Sequence, residues 1–169
     1  MNNLKRFLNF QTQEQAIEHL EAKRWNGHPV CPYCQSDKVY RHASGDRAGQ
    51  RWQCESCARA FSVTVGTIFH GTHVPLKQWF ILLGLILDAE KSVSASQLAR
   101  DLDMRRPTIS SMMRRIRLAT LNDTEQSELL YAIIGASATD KSAKSLNVKT
   151  RLAKPKVASK KSVFRNPRL

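Results

Sequence analysis

Four cysteines in two C-x2-C pairs are the feature that most constrains the fold of this chain. Cys31 and Cys34 form the first pair, Cys54 and Cys57 form the second, and 19 residues separate the pairs. Two such pairs are typical of zinc ribbons, in which each pair presents both sulfurs on one side of a tight turn. We therefore expect one structural Zn²⁺ with these four cysteines as its ligands, supplying much of the folding free energy of a short, polar segment.

Other uses of these cysteines fit less well. A redox C-x-x-C motif needs a thioredoxin-like strand–helix context, which is missing here. Catalytic zinc keeps an open coordination position, which four cysteines close. The same closure leaves no place for His28 as a ligand. We expect His70 and His73 to pack or cap the joint before Pro75, with a second metal site as the alternative.

Residues 25–70 are rich in turns and contain the cysteine pairs. Glycine and proline separate three strand candidates, at 38–42, 50–53 and 61–65. Trp25 and Trp52 flank the cysteine pairs. We expect both to pack over the ribbon, with base stacking on one of them as the alternative.

Helical patterns lie on both sides of the ribbon. Thr12 and Gln15 form a capping-box pattern for a helix over 12–24, and further helices are predicted at 76–90, 95–102 and 107–121. The chain is thus predicted to be a small α+β protein. Its expected parts are an N-terminal helix (1–24), the zinc ribbon (25–70), a three-helix helix-turn-helix module (74–121), a linker with an apolar stretch (122–136) and a disordered basic tail (137–169).

The last two predicted helices have the spacing of a helix-turn-helix. Asp103 stands in the turn, where a residue that tolerates the left-handed conformation is favoured. The apolar residues of the last helix recur at helical spacing and should face inward: Ile109, Met112, Met113, Ile116 and Ala119. The opposite face and the helix entrance supply the predicted DNA contacts: Arg105, Arg106, Thr108, Ser111, Arg114, Arg115 and Arg117. The alternative is a three-helix bundle with a solvated basic face.

The charge of the chain favours nucleic acid as its partner. Its net charge is +13, and residues 137–169 account for +9 of it. Such a tail commonly follows phosphates, although a purely solubilising tail is an alternative. We find no signal peptide, and the longest apolar run, 79–87, is far shorter than the roughly 20 residues of a membrane span. We therefore expect a cytoplasmic, nucleoid-associated protein that binds double-stranded DNA and no membrane.

Several motifs together resemble the N-terminal part of zinc-ribbon DDE transposases from bacterial insertion sequences. They extend over about residues 7–120: Arg24-Trp25, Cys31-Pro32, Cys34, Arg51-Trp52, Cys54, Cys57, Phe61-Ser62-Val63-Thr64, Gly66-Thr67-Ile68-Phe69, Pro75-Leu76, Trp79, Lys91, Ser94-Ala95, Gln97-Leu98 and Arg115-Ile116-Arg117. In that family the ribbon and helix-turn-helix recognise the ends of the element, and a ribonuclease H-like domain with acidic metal ligands performs strand transfer. The resemblance implies DNA binding for this chain.

The chain departs from that family where the first catalytic strand is expected. Aligning 133–139 with that strand places Ser137 and Ala138 where the family has acidic residues, and 49 residues remain from Leu121 onward. Two-metal phosphoryl transfer needs converging carboxylates. We therefore expect no catalytic residues and no enzyme activity, but a transposase-derived DNA-binding regulator of transcription or transposition, with a homodimer as one option. The alternatives are a truncated transposase remnant, a module docking on a nucleoprotein complex or RNA polymerase, and an active nuclease.

Overall fold

The computed structural model describes residues 3–42, 51–89 and 93–135, so the predicted tail at 137–169 lies outside the described residues. Within these ranges the protein has six α-helices and one three-stranded sheet, which confirms the small α+β class. In chain order the elements are α1 (Asn3–Leu8), α2 (Gln13–Trp25), β1 (Val39–Arg41), β2 (Trp52–Cys54), β3 (Ala60–Phe61), α3 (Leu76–Asp88), α4 (Ala95–Asp101), α5 (Arg106–Asn122) and α6 (Thr124–Ile134).

The sheet is antiparallel, in the order β1-β2-β3. The predicted third strand is too long: β3 ends at Phe61, because the following residues form turns in which the Val65 N–H donates to the Ser62 carbonyl. Phe61, Val63 and Val65 are nevertheless all buried, at 9% exposure or less. The alternation in the sequence therefore indicated burial correctly and the backbone conformation incorrectly.

The C-terminal part of helix α2 packs against this sheet. Trp25 at its end makes edge-to-face contacts with Trp52 and Phe61, with ring centroids 5.6 and 6.1 Å apart. The Glu21 carboxylate, which is buried, accepts hydrogen bonds from the Trp52 indole at 2.9 Å and from Arg41. The tryptophans thus pack as predicted, and a buried, paired carboxylate fixes the sheet on α2.

The N-terminal segment is two helices and not the single predicted one. Thr12 caps α2 by accepting a hydrogen bond from the Gln15 N–H at 3.4 Å, as its capping pattern predicts. Helix α1 crosses α3 at Gly84, where an added Cβ would lie only 2.8 Å from the Leu4 Cα. The glycine therefore permits the close approach that buries Phe7 completely.

The segment predicted as a linker contains helix α6. Asp123 caps its start by accepting from the Gln126 N–H at 3.0 Å, and Gly135, at φ 70°, follows its end in the left-handed conformation. Ile133 and Ile134 are buried in this helix, so their assignment to a catalytic strand is wrong. Ser137 and Ala138 lie outside the described residues.

Helices α4 and α5 are joined by a short turn and pack against each other. Ser94 caps α4 through the Gln97 N–H at 3.1 Å, and Asp103 adopts the predicted left-handed conformation, with φ 49°. The predicted inward face of α5 is confirmed, since its apolar residues are all at 7% exposure or less: Ile109, Met112, Met113, Ile116 and Ala119. Among the helices described, even the apolar α3 falls short of what crossing a bilayer requires.

Candidate metal centre and nucleic-acid interface

The structure brings the four predicted cysteines together. Their Sγ atoms all lie within 4.8 Å of one another, and the Cys31–Cys57 and Cys34–Cys54 pairs are 3.6 Å apart. A tetrahedral zinc with Zn–S bonds near 2.3 Å places its sulfurs about 3.8 Å apart. The cluster therefore has the size and the donor set of a site for one zinc ion.

Both cysteine pairs are built by the same local backbone. The residue after each pair is left-handed although it is not glycine: Gln35 at φ 60° and Ala58 at φ 55°. The first cysteine of each pair donates its N–H to a carbonyl five residues on, from Cys31 to Ser36 at 2.9 Å and from Cys54 to Arg59 at 3.1 Å. The two equivalent turns thus present their sulfurs to a common centre.

The protein environment shifts the pKa values of the cysteine thiols in different directions. Burial raises the pKa of the Cys54 thiol, but hydrogen bonds from the backbone around Cys57 and from the neighbouring thiols lower the pKa more, to a net value of about 7. Burial is also the main reason why the pKa of Cys31 is raised. Because zinc binds thiolates, metal binding has to remove protons from the cluster.

The histidines do not join this cluster. His28, His70 and His73 are all exposed, and within the described ranges the four cysteines are the only group of three or more side chains placed to hold a metal. The described residues therefore give no support to a second metal site. His70 belongs to the segment 66–70, which leads from the ribbon towards α3 and which we call the joint. The His70 carbonyl group forms part of the contact between this joint and α5.

The predicted DNA-contact residues of α5 fall into two groups. Four side chains are exposed at the turn and along the outer face: Arg105, Arg106, Ser111 and Arg114. Thr108 and Arg117 are half-buried. The exposed group gives the outer face of α5 a basic surface, opposite its buried apolar stripe.

Arg115 differs from the rest of the predicted row. Its guanidinium donates to the backbone carbonyls of Ile68, at 3.0 Å, and His70, at 2.8 Å. These residues belong to the joint between the ribbon and α3. Arg115 therefore fixes the joint beside α5, a structural role that helical spacing alone did not indicate.

Gln126 is a second side chain that holds this joint, and its role was not predicted from the sequence. Gln126 is 5% exposed, donates to the Gly66 carbonyl at 2.7 Å and accepts from the Ile68 N–H at 3.2 Å. Arg24 of α2 donates to the nearby Val63 carbonyl. Side chains from α2, α5 and α6 thus fix the backbone where it leaves the ribbon. A polar residue on the apolar face of 124–134 was the available signal.

Comparison with known proteins supports the ribbon assignment. Residues 11–60 match the transposase zinc-ribbon domain. The chain is 29% identical over 106 residues to an uncharacterized protein in the transposable element ISH50 of Halobacterium salinarum, covering 63% of this chain and 35% of that protein. It is 44% identical over 34 residues to the InsA protein of insertion element iso-IS1N from Shigella dysenteriae, covering 20% of this chain and 38% of that protein.

These matches define how far the similarity extends. The chain spans little more than a third of the length of either relative. No solved structure is significantly similar to it. The predicted resemblance to insertion-sequence transposases is confirmed at the ribbon, and the chain is related to insertion-element proteins.

Proposed function

We propose that this chain binds double-stranded DNA, with α4 and α5 acting as a helix-turn-helix beside the zinc ribbon. The observation that supports this most is the arrangement of α5. Its inner face is buried, its outer face is basic and exposed, and the left-handed Asp103 sets the turn that precedes it. In a helix-turn-helix the start of the second helix lies in the major groove.

The side chains on the outer face of α5 suit different kinds of DNA contact. Thr108 and Ser111 lie near the start of the helix, three residues apart, so they point the same way. Their hydroxyls suit base edges or phosphates. Arg105, Arg106 and Arg114 would act mainly on phosphates, which position a protein on DNA without selecting a sequence.

We further propose a non-catalytic role, as a regulator or accessory factor of transcription or transposition. The part of the chain that matches a family is a zinc-ribbon domain, and four thiolates leave zinc no open coordination position for chemistry. A truncated remnant would share this structure, and a reproducible phenotype on deletion would separate the regulator from the remnant.

Selection of bound sequences from a random pool of duplex DNA tests this proposal. We expect a preferred site, and we expect Thr108→Ala and Ser111→Ala each to lose about 1–3 kcal/mol there, with smaller losses on scrambled DNA. Thr124→Ala, at an exposed threonine on α6, is the matched control. Failure to enrich any sequence would refute site-specific binding. Equal losses of binding free energy on both DNAs would mean that base recognition lies outside α5.

A further inference from the structure

A groove of about 820 Å³ lies between the ribbon and the joint that leads into α3. Its apolar lining includes Phe61, Val63 and Phe69, which are almost fully buried. Its lining residues with charged, imidazole or hydroxyl side chains are Tyr33, Arg51, Ser62, Thr64, His70, Thr72 and His73. All of the lining residues belong to the described part of the chain, and none of them is acidic. The groove therefore combines an apolar floor with hydrogen-bond donors and a positive charge.

One lining residue of the groove also contacts α5. His70 lines the groove, and its carbonyl accepts a hydrogen bond from Arg115 at 2.8 Å. Arg115 follows Ser111 by one helical turn, so the loop at 70–73 lies next to the face that we propose for DNA. A further cation is close to the ribbon side, because Arg59 stacks over the ring of Tyr33, another lining residue.

We propose that this groove binds the phosphodiester backbone of the duplex next to the stretch contacted by α5. The inference rests on the proposed DNA-binding function and adds a second contact surface to it. Arg51 supplies a guanidinium with several donors, and His73 and Thr72 supply N–H and O–H groups. Side chains of these types are common phosphate contacts, and they fix the orientation of a protein on DNA without reading bases.

The charges of the groove select among the candidate occupants. The chain's own segment 137–169 has a net charge of +9 and would meet Arg51 with charge of the same sign. A purely apolar peptide would leave the Arg51 guanidinium without an ionic or hydrogen-bonding partner. A phosphate backbone satisfies both the positive charge and the donors, and it is already adjacent if α5 lies in the major groove.

Arg51→Ala and His73→Ala test the proposal in the full-length, zinc-loaded protein. Both side chains are exposed, so we expect the variants to keep their zinc and their fold. Lys23→Ala is the control, since it removes an exposed cation on α2 that does not line the groove. Affinity is measured by fluorescence anisotropy on the selected duplex and on a scrambled duplex, at several salt concentrations.

We expect each groove variant to weaken both duplexes equally, by roughly five- to tenfold, with a smaller effect from the control. For Arg51→Ala the slope of log affinity against log salt concentration should also become shallower by about 1, as expected for the loss of one phosphate contact. Single neutral methylphosphonate linkages then locate the contact. A neutral linkage that weakens DNA binding by the wild-type protein should weaken binding by Arg51→Ala little further, because the same interaction is already lost in that variant.

Several results would overturn the groove proposal. If both groove variants match the control while Thr108→Ala still loses site preference, the groove is not a DNA contact and the proposed function stands. If the wild-type protein binds neither duplex, the proposed function fails and the groove proposal fails with it. If an acidic peptide binds the groove and a duplex does not displace it, the occupant is a protein.

Discussion

Replacing Gln126 with leucine should destabilise the joint between the ribbon and the helices with little change in side-chain volume. The substitution removes the donor to the Gly66 carbonyl and the acceptor of the Ile68 N–H. The Ile68 N–H is buried, and leaving such a donor unpaired costs about 1–3 kcal/mol. Gly66 is exposed, so water can replace the bond to its carbonyl at a cost of less than about 1 kcal/mol. The added apolar burial offsets about 1 kcal/mol of this loss.

These contributions sum to a loss of roughly 0–3 kcal/mol, and we expect Gln126→Leu to lower the free energy of unfolding by about 1.5 kcal/mol. Urea denaturation with saturating zinc, followed by tryptophan fluorescence, measures the loss. Hydrogen exchange at the Ile68 amide localises it. Gln78→Leu makes the same change at a half-buried glutamine of α3 and serves as the control. A loss below about 0.5 kcal/mol, or unchanged protection of the Ile68 amide, would refute this account of Gln126.

Three further predictions concern the packing, the metal and α5. Gly84→Ala should destabilise the protein by about 1 kcal/mol net and increase hydrogen exchange in α1, because overpacking against α1 outweighs the gain in helix propensity. Elemental analysis should find about one zinc per wild-type chain, and Cys54→Ser should lose the metal and unfold the ribbon while Ser56→Ala, in the same turn, retains both; a metal-free protein with an intact ribbon would contradict this. Arg115→Ala should lower the free energy of unfolding by about 1–2 kcal/mol, because two hydrogen bonds to the joint are lost. Arg114→Ala should instead reduce DNA affinity at unchanged stability. The reverse pattern would indicate that Arg115 contacts DNA and that Arg114 is structural.

The ribbon and the turn before α5 were predictable because their signals are local. Two C-x2-C pairs specify their own turns and need only a common centre, and the four sulfurs meet as predicted. Asp103 is left-handed because the short turn between two helices requires it, and aspartate tolerates that conformation. In each case the residues that determine the conformation are close together in the sequence.

The elements that the sequence did not indicate depend on contacts between distant segments. Helix α1 is six residues long, too short to be stable alone, and it forms against α3 at Gly84. Helix α6 packs against both α2 and α5, so its apolar stretch is part of the core. The apolar residues at 61–65 are buried at the spacing of a strand, yet turns place them there. Periodicity reports which residues are buried, and it does not identify the partner segment.

Arg115 shows why a helix face derived from spacing is not yet an interface. Spacing divides α5 into a buried stripe and its opposite, and Arg115 falls in the same outer row as Thr108 and Ser111. The joint at 66–70 occupies part of the remaining surface, and Arg115 turns to its carbonyls. The consequence for recognition is geometric. If α5 lies in the major groove, the ribbon must approach the DNA at the angle that Arg115 and Gln126 fix. The metal-dependent ribbon then helps to determine where on the duplex the helix can bind.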